Sequence, residues 1–178
     1  YEVHFESRGP GIWPVDPSGD DKGPGTLAQP FASPRAAVES ALEDKFYNNK
    51  SVRLTSGSFD VPEPIEVDEE LQIIGGYNSN FLTLGGGNSE LWAVEDNNLI
   101  LDIRNRDKNP VRIQNIDFYN TESRQDEEIG VRVQGKVDII GNGFYADEAQ
   151  HMKGIELATL DGNLVNITDN SFNLPLSE

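Results

Sequence analysis

The sequence predicts an all-β protein whose short strands stack as coils of a parallel β-helix, or solenoid, with one short N-terminal capping helix. Three observations predict this fold class. Apolar and polar residues alternate along many short segments from residue 52 onward. One motif recurs after 26 and again after 28 residues, and 17 Gly, 10 Pro and 16 Asn supply frequent turns. Such a period is typical of a solenoid, because one coil alone cannot bury its apolar face.

Residues 34–46 are predicted to form the helix. Apolar residues recur at i, i+3, i+4, i+7 and i+8 from Pro34 to Leu42, which gives one apolar stripe. Ser33 is suited to the N-cap, and Pro34 stands at the first helical position, where its missing N–H costs nothing. Residues 9–14, rich in Gly, Pro and Trp, are expected to form a loop before it.

The recurring motif defines the coils. Segments 111–118, 137–144 and 165–172 align without gaps as V-x-I-x-x-[IN]-x-F, so stacking would place Val on Val, Ile on Ile and Phe on Phe. Asn142 and Asn170 share one turn position, where Asn tolerates left-handed backbone angles. An antiparallel sandwich is the competing interpretation, but a sandwich has no reason to repeat one motif.

Charge and composition limit the function classes. The 178 residues include 31 acidic and 14 Lys or Arg residues, a formal net charge of −17, which argues against nucleic acid and anionic membranes as partners. Without Cys, there is no disulfide, thiolate metal site or Cys nucleophile. No apolar stretch approaches the length of a membrane span. The length suits one domain over 1–178, with a cap region at 1–50 and coils at 51–178.

Several short motifs carry a resemblance to a known family. The stretch from Val15 to Ala37 contains G-D-D at 19–21, G-T at 25–26 and P-F at 30–31, followed by the predicted helix. A G-x-[FY]-type turn at 56–59 and G-G-Y at 75–77 follow, and then the repeated coils. Together these motifs resemble right-handed parallel β-helix proteins of the pectin-lyase-like superfamily.

The resemblance implies a right-handed solenoid whose open N-terminal end is covered by the helix. It covers nearly the whole chain and suggests about five or six coils, either a complete domain or the first part of a longer protein. The superfamily includes polysaccharide lyases and hydrolases, epimerases, adhesins and secreted surface proteins. Because fold alone does not transfer an activity, the resemblance leaves the function open.

The stacking register predicts two outward columns of polar side chains. If the flanking apolar residues point inward, the residues between them form a column on neighbouring strands about 4.8 Å apart. These columns are Asp102, Arg132 and Glu156, and Arg112, Asp138 and Asn166. The plainer interpretation is that such ladders only stabilise a solvated sheet.

The first column also supplies the candidate catalytic residues. In lyases of the superfamily a Lys or Arg serves as the base, and a cation such as Ca²⁺ neutralises the substrate carboxylate. Hydrolases instead use paired Asp or Glu residues. Asp102, Arg132 and Glu156 fit either scheme, but a net charge of −17 would repel a polyuronate substrate.

Calcium sites are suggested by two acidic clusters. Asp16, Asp20 and Asp21 lie in the first Gly-rich loop, and residues 126–128 form an Asp-Glu-Glu run between coils. Ca²⁺ binds such hard oxygen ligands, although neither cluster matches an EF-hand. The alternatives are a structural turn for the first cluster and a solvated loop for the second.

Three aromatic residues and two histidines are further candidates for binding or catalysis. Trp92, Tyr119 and Tyr145 are candidates for stacking on sugars, or else ordinary outward sheet residues. The only two histidines, His4 and His151, are too few for a zinc site and have no nucleophile motif beside them, so each is expected on a surface or loop.

The expected function is therefore a non-catalytic module, secreted or at the cell surface, with a structural or glycan- or cation-binding role. Its partners would be a polysaccharide or another surface protein. The sequence contains no signal-peptide apolar segment, and a leader removed before Tyr1 would agree with that location. Two alternatives stay open: a small polysaccharide lyase or glycoside hydrolase, and the N-terminal piece of a large adhesin.

Overall fold

The fold is given by a computed structural model that describes residues 11–95, 97–106, 109–120, 128–146, 152–158 and 164–173. These residues form one helix, α1 (Pro34–Glu43), and fifteen short strands. In chain order the strands are β1 (Ile12–Val15), β2 (Ser51–Thr55), β3 (Ser58–Val61), β4 (Ile65–Val67), β5 (Gln72–Tyr77), β6 (Ser89–Ala93), β7 (Leu99–Ile103), β8 (Val111–Gln114), β9 (Ile116–Asn120), β10 (Glu128–Val133), β11 (Lys136–Ile140), β12 (Gly143–Tyr145), β13 (Met152–Leu157), β14 (Leu164–Thr168) and β15 (Ser171–Asn173).

The strands form three sheets that the chain visits in turn. Sheet 1 has the order β1-β2-β5-β8-β11-β14, sheet 2 has β3-β6-β9-β12-β15, and sheet 3 has β4-β7-β10-β13. Every strand pair within these sheets is parallel. The predicted parallel β-helix with one short helix is confirmed, and the antiparallel sandwich is wrong. Coil 1 consists of β2, β3 and β4, and coil 5 begins with β14 and β15.

The interior consists of the ladders that the repeat predicted. In sheet 1, Ile73, Ile113, Ile139 and Ile167 are successive register partners. In sheet 2, stacked phenylalanine rings continue through the last three coils. Their centroids are 5.0 Å apart for Phe118–Phe144 and 4.9 Å for Phe144–Phe172, with nearly parallel planes. Burial of the ladder side chains in coils 2 to 4 supplies a large part of the driving force for folding.

An asparagine ladder joins sheets 1 and 2 at their corner. Asn142 is buried, its Oδ1 accepts a hydrogen bond from the N–H of Ile116 at 3.0 Å, and its Nδ2 donates to the carbonyl of Ile113 at 3.1 Å. Asn170 accepts from the backbone and side-chain amides of Asn142 and donates to the carbonyl of Ile139. The ladder ends at coil 3, where Ile116 takes the place of Asn.

The helix covers the first coil. Its buried residues Ala37, Val38 and Ala41 belong to the same apolar core as the ladders, and the helix packs against β1, β2 and β4. The Ser33 side chain accepts from the N–H of Ala36 at 3.2 Å, the predicted N-cap. A helix in this position shields strand edges that have no further coil beside them.

The predicted extent of the helix is wrong at its C-terminal end. The helix ends at Glu43, not at residue 46, because Asp44 adopts an extended conformation with ψ of 123°. Glu43 and Asp44 place negative charge at the end of the helix dipole that disfavours it. Phe46 is 93% exposed, so it has no apolar surface that would reward a further turn.

The expected loop over residues 9–14 is wrong where the structure describes it. Ile12–Val15 forms β1 and pairs with β2, from Ile12 beside Ser51 to Val15 beside Leu54. All four residues of β1 are buried, so the strand lacks the alternation by which the other strands were predicted. Pro14 is tolerated because β1 is the edge strand of sheet 1.

Candidate functional site

The outer face of sheet 3 carries the column of charged side chains that the sequence predicted. Asp102, Arg132 and Glu156 are register partners on β7, β10 and β13. The column begins one rung earlier than predicted, because Glu66 on β4 is the register partner of Asp102. Sequence analysis missed Glu66, although its strand has the same apolar–acid–apolar alternation as the strand of Asp102.

The charges in this column are engaged in lateral ion pairs. The Nε of Arg132 donates to an Oε of Glu156 at 2.8 Å, and the Nη2 of Arg104 donates to the Oδ2 of Asp102 at 2.5 Å. Arg104 also lies 4.0 Å from a carboxylate oxygen of Glu66. The hydrogen bond to Asp102 raises the pKa of Arg104 above its ordinary value, with the charges of Asp102 and Glu66 adding to the effect.

Asp102 differs from its neighbours in burial. Only 3% of the residue is exposed, although it lies in an outward column. Its Oδ2 has Arg104, but its Oδ1 is buried and has no hydrogen-bond partner. A buried carboxylate oxygen without a donor is costly, so this atom is the polar group in sheet 3 that most needs an explanation.

A cleft of about 970 Å³ lies between α1 and sheet 3. Its lining comes from α1, from the chain around β4, and from Asp102 and Arg104 at the end of β7. Arg132 and Glu156 do not line it. The three predicted catalytic residues thus share a column, but only Asp102 lines this cleft. The other residues of the lining were not predicted as site residues.

The cleft is strongly acidic. Seven carboxylate and three basic side chains line it. Arg35 pairs with Glu63 and with Glu39, at 2.8 Å for the latter, and Lys45 pairs with Glu69 at 2.8 Å. These pairs lie at the rim, since each side chain is more than two-fifths exposed. Hydrogen bonding to Glu69 raises the pKa of Lys45, and the same bond lowers the pKa of Glu69.

Asp16, Asp20 and Asp21, the predicted calcium ligands, organise the loop before α1. Oδ1 of Asp16 accepts from the N–H and hydroxyl of Ser18, and Oδ1 of Asp20 accepts from the N–H of Lys22. Burial alone would raise the pKa of Asp16, but the Ser18 hydrogen bonds, with one from Thr55, outweigh it and lower the pKa.

Asp21 ties this loop to the helix. Its Oδ1 accepts from the N–H groups of Ala32 and Ser33, both at 2.8 Å. Within the described residues, no group of three or more His, Asp or Glu side chains is arranged to hold a metal ion. The contacts of Asp16 and Asp20 with Ser18 and Lys22 agree with the turn interpretation, whereas Asp21 bonds more distant backbone groups, and calcium binding at the three aspartates stays a prediction.

An aromatic stripe, defined here as Trp92, Tyr119 and Tyr145, runs along the outer face of sheet 2. Its rings stack with centroids 4.3 Å apart for Trp92–Tyr119 and 4.8 Å for Tyr119–Tyr145, at interplanar angles of 7° and 12°. Burial raises the pKa of Tyr119, and the charges of Asp117 and Glu90 add to the effect. Because the rings cover one another's faces, the stripe offers mainly ring edges to a ligand, whereas a sugar needs a free face.

The second predicted column lies on the outer face of sheet 1. Arg112, Asp138 and Asn166 are register partners, as expected, and Gln72 extends the column by one rung. Arg112 and Asp138 form an ion pair with N–O separation of 3.8 Å. Exposed pairs of this kind contribute little, roughly 0–1 kcal/mol, so this column stabilises a solvated sheet at most modestly.

Some predicted residues lie outside the described residues. These are His4, His151, Asp126 and Glu127, together with the side chain of Glu128. The expectations for them, a surface or loop position for the histidines and a calcium site or solvated loop for the acidic run, stay predictions.

The site so described belongs to a parallel β-helix with an acidic cleft beside its capping helix. Comparison with known proteins found no match: no family model, curated protein or solved structure is significantly similar to this chain. The ten residues of α1 are too few to cross a bilayer, and the described part of the chain contains no longer apolar helix.

Proposed function

We propose that this protein is a non-catalytic β-helix module that binds a partner through its acidic outer surface. One observation carries the proposal: the charged groups predicted to be catalytic are engaged in ion pairs along sheet 3. Arg132 is bonded to Glu156, Asp102 is bonded to Arg104, and the cleft includes only one of these two pairs.

A lyase would need a basic group free to remove a proton from its substrate. The Nε of Arg132 donates to Glu156, and the Nη2 of Arg104 donates to Asp102, so each guanidinium is already paired with a carboxylate. The net charge of −17 would in addition repel a polyuronate chain. Both arguments favour binding over elimination chemistry.

The second candidate is a small polysaccharide hydrolase or lyase. One observation favours it: Asp102, with an unpartnered carboxylate oxygen, stands beside Glu66 in the same cleft. A hydrolase uses two such carboxylates on either side of the glycosidic bond. The pairing of Asp102 favours the binding role, because an uncharged sugar oxygen cannot replace the charge-assisted hydrogen bond that Arg104 donates to this carboxylate.

Membership of the pectin-lyase-like superfamily and a secreted or cell-surface location are part of this proposal. The parallel coils, the helix over the first coil and the motifs at 19–21, 25–26 and 30–31 support the superfamily resemblance. The location follows from that resemblance, since many of these proteins act on or at the cell surface. The role of the whole protein as part of an adhesin would agree with the same location.

The test is a cleavage assay. The protein is incubated with pectate, alginate and glycosaminoglycans, and the ultraviolet absorbance of unsaturated products and the release of reducing ends are followed. We expect neither signal. Product formation that disappears in Asp102→Asn, but persists in Asp138→Asn as the matched control, would overturn the proposal and establish the second candidate.

A further inference from the structure

The carboxylate of Asp102 is buried and only partly hydrogen-bonded. Its side chain is 4% exposed, one oxygen receives Arg104 at 2.5 Å, and the other oxygen has no donor. A buried charge with incomplete hydrogen bonding is destabilising unless a further partner completes it. The residue also lines the cleft beside α1, so a ligand that enters the cleft and moves Arg104 aside could supply the missing donor.

Apart from Arg104, the basic side chains that line the cleft or share the column of Asp102 are paired with other carboxylates. Arg132, the register partner of Asp102, directs its Nε to Glu156 at 2.8 Å. Arg35 and Lys45 form ion pairs at the rim with Glu63 and Glu69. Of the basic side chains that line the cleft, Arg104 is the one bonded to Asp102.

The chemistry of the cleft selects the class of ligand. Seven carboxylates against three basic groups attract positive charge, and concave walls of low dielectric strengthen that attraction. Within the described residues no three acidic side chains converge as metal ligands, which disfavours a bare metal ion. Leu42 of α1, which is partly exposed, contributes apolar surface to the same lining, which suits an aliphatic stem.

We propose that this cleft binds an organic cation, a guanidinium or ammonium group on an aliphatic stem, with Asp102 as its anchor. Arg104 occupies the place of the ligand's cation in the free protein. An incoming cation displaces it from Asp102, and Arg104 turns to Glu66, which already lies 4.0 Å away. Asp102 then accepts hydrogen bonds on both oxygens, a geometry that a guanidinium provides with two parallel donors.

Two sources carry this chemistry: the side chains of a basic polypeptide and a free polyamine. The inference rests on the binding role proposed above and specifies its ligand. The non-catalytic role and the cation site can fail separately. Cleavage of a polysaccharide would overturn the non-catalytic role and leave the cation site intact, whereas absence of cation binding would remove the site and leave the non-catalytic role intact.

The experiment is isothermal titration calorimetry of the whole chain with a tetra-arginine peptide and, separately, with spermine. Asp102→Asn should weaken binding by about tenfold or more, since a charge-assisted hydrogen bond contributes about 1.5–3 kcal/mol. Arg104→Ala removes the internal competitor and should tighten binding by roughly threefold or more. Glu66→Gln, at an exposed side chain that should not affect folding, removes the new partner of Arg104 and should weaken binding by about threefold.

Matched controls come from the ion pair on sheet 1. Asp138→Asn and Arg112→Ala make the same charge changes on another face, and each should alter affinity by less than about twofold at about 150 mM salt. Thermal melting of each variant verifies that it is folded. A preference for the peptide identifies a basic polypeptide as the source, and a preference for spermine identifies a polyamine.

Two results would overturn the inference. One is the absence of measurable binding of either probe to the folded protein. The other is an equal effect of Asp102→Asn and Asp138→Asn, which would mean that the net charge alone attracts the probe. Non-specific attraction would raise the affinity equally in Arg104→Ala and Arg112→Ala. A higher affinity in Arg104→Ala alone therefore supports the inference.

Discussion

The coils near the capping helix and coil 5 carry the same kind of apolar ladders but bury them to different extents. Ile139 and Phe144 in coil 4 are fully buried, whereas their register partners Ile167 and Phe172 in coil 5 are 42% and 51% exposed. By contrast, α1 covers coil 1, and Trp13 is fully buried. The repeat motif therefore specifies which side chains point inward, but a neighbour on both sides of a coil is what buries them.

The distribution of charged side chains also differs between the region around α1 and coil 5. Strands β14 and β15 contain no charged residue, while the cleft beside α1 is lined by seven carboxylates. The capped end thus combines a closed core with an electrostatically active surface. Coil 5 combines partly exposed apolar side chains with two strands that contain no charged residue, and Asp169 lies between those strands.

The largest expected effect contrasts two positions of one phenylalanine ladder. Phe118→Ala should lower the free energy of unfolding by about 3–5 kcal/mol, because it leaves a cavity in a fully buried stack. Phe172→Ala should lower it by only about 1 kcal/mol, since half of that ring is already exposed. Urea denaturation of both variants gives the comparison, and equal losses would contradict the role assigned to neighbouring coils.

The asparagine ladder predicts the next largest effect. Asn142→Ala leaves the N–H of Ile116 and the carbonyl of Ile113 without their partner, at a cost of roughly 2–3 kcal/mol. Asn166→Ala, at an exposed position of coil 5, should change the stability by less than about 0.5 kcal/mol. The same denaturation measurement applies. A large loss at Asn166 would show that the last coil is more tightly coupled than its exposure indicates.

A smaller effect is expected at the N-terminus of the capping helix. Ser33→Ala removes the acceptor for the N–H of Ala36 and should cost about 1 kcal/mol. Ser33→Thr keeps a hydroxyl there and should recover most of the stability. Hydrogen exchange of the α1 amides is the sharper measurement, because loosening the cap should accelerate them before those of the central coils. Equal acceleration of hydrogen exchange in α1 and in the central coils would contradict the prediction that the capping helix can loosen on its own.

The smallest effect concerns acid. The pKa of Glu69 is lowered from 4.5, chiefly by the hydrogen bond from Lys45, so the unfolded chain takes up this proton at higher pH than the folded chain. The associated stability is present above pH 4.5 and is lost as the pH falls through the lower folded-state pKa. Glu69→Gln should abolish this part of the pH dependence in urea denaturation between about pH 6 and pH 3. An unchanged profile would mean that the pair with Lys45 does not affect stability.

The sequence predicts the coils well because each inward position is repeated. Val, Ile and Phe recur at fixed offsets, and their stacking follows directly from that repetition. Strand β1 escaped prediction because both of its faces are buried, which removes the alternating pattern. The end of α1 was placed three residues too late because the backbone of Asp44, rather than hydropathy, decides it.

The candidate site was predicted only in part. The column containing Asp102 follows from the register, but the cleft depends on where α1 lies against β4 in the folded chain. Arg104 stands two residues beyond Asp102, outside the strand that carries the repeat pattern, so its pairing has no repeated signature. Contacts between segments that do not repeat cannot be predicted from the repeat motif.

The aromatic stripe gives the protein an intrinsic optical probe. Trp92, Tyr119 and Tyr145 belong to three successive coils, with each ring in van der Waals contact with the next. Rings at such distances couple their electronic transitions, so near-ultraviolet circular dichroism and tyrosine-to-tryptophan energy transfer depend on the register of coils 2, 3 and 4. A slip or separation of these coils changes the contribution of the three rings to the spectrum of the unlabelled protein, to which Trp13 and Tyr47, with ring centroids 6.1 Å apart, add a separate contribution.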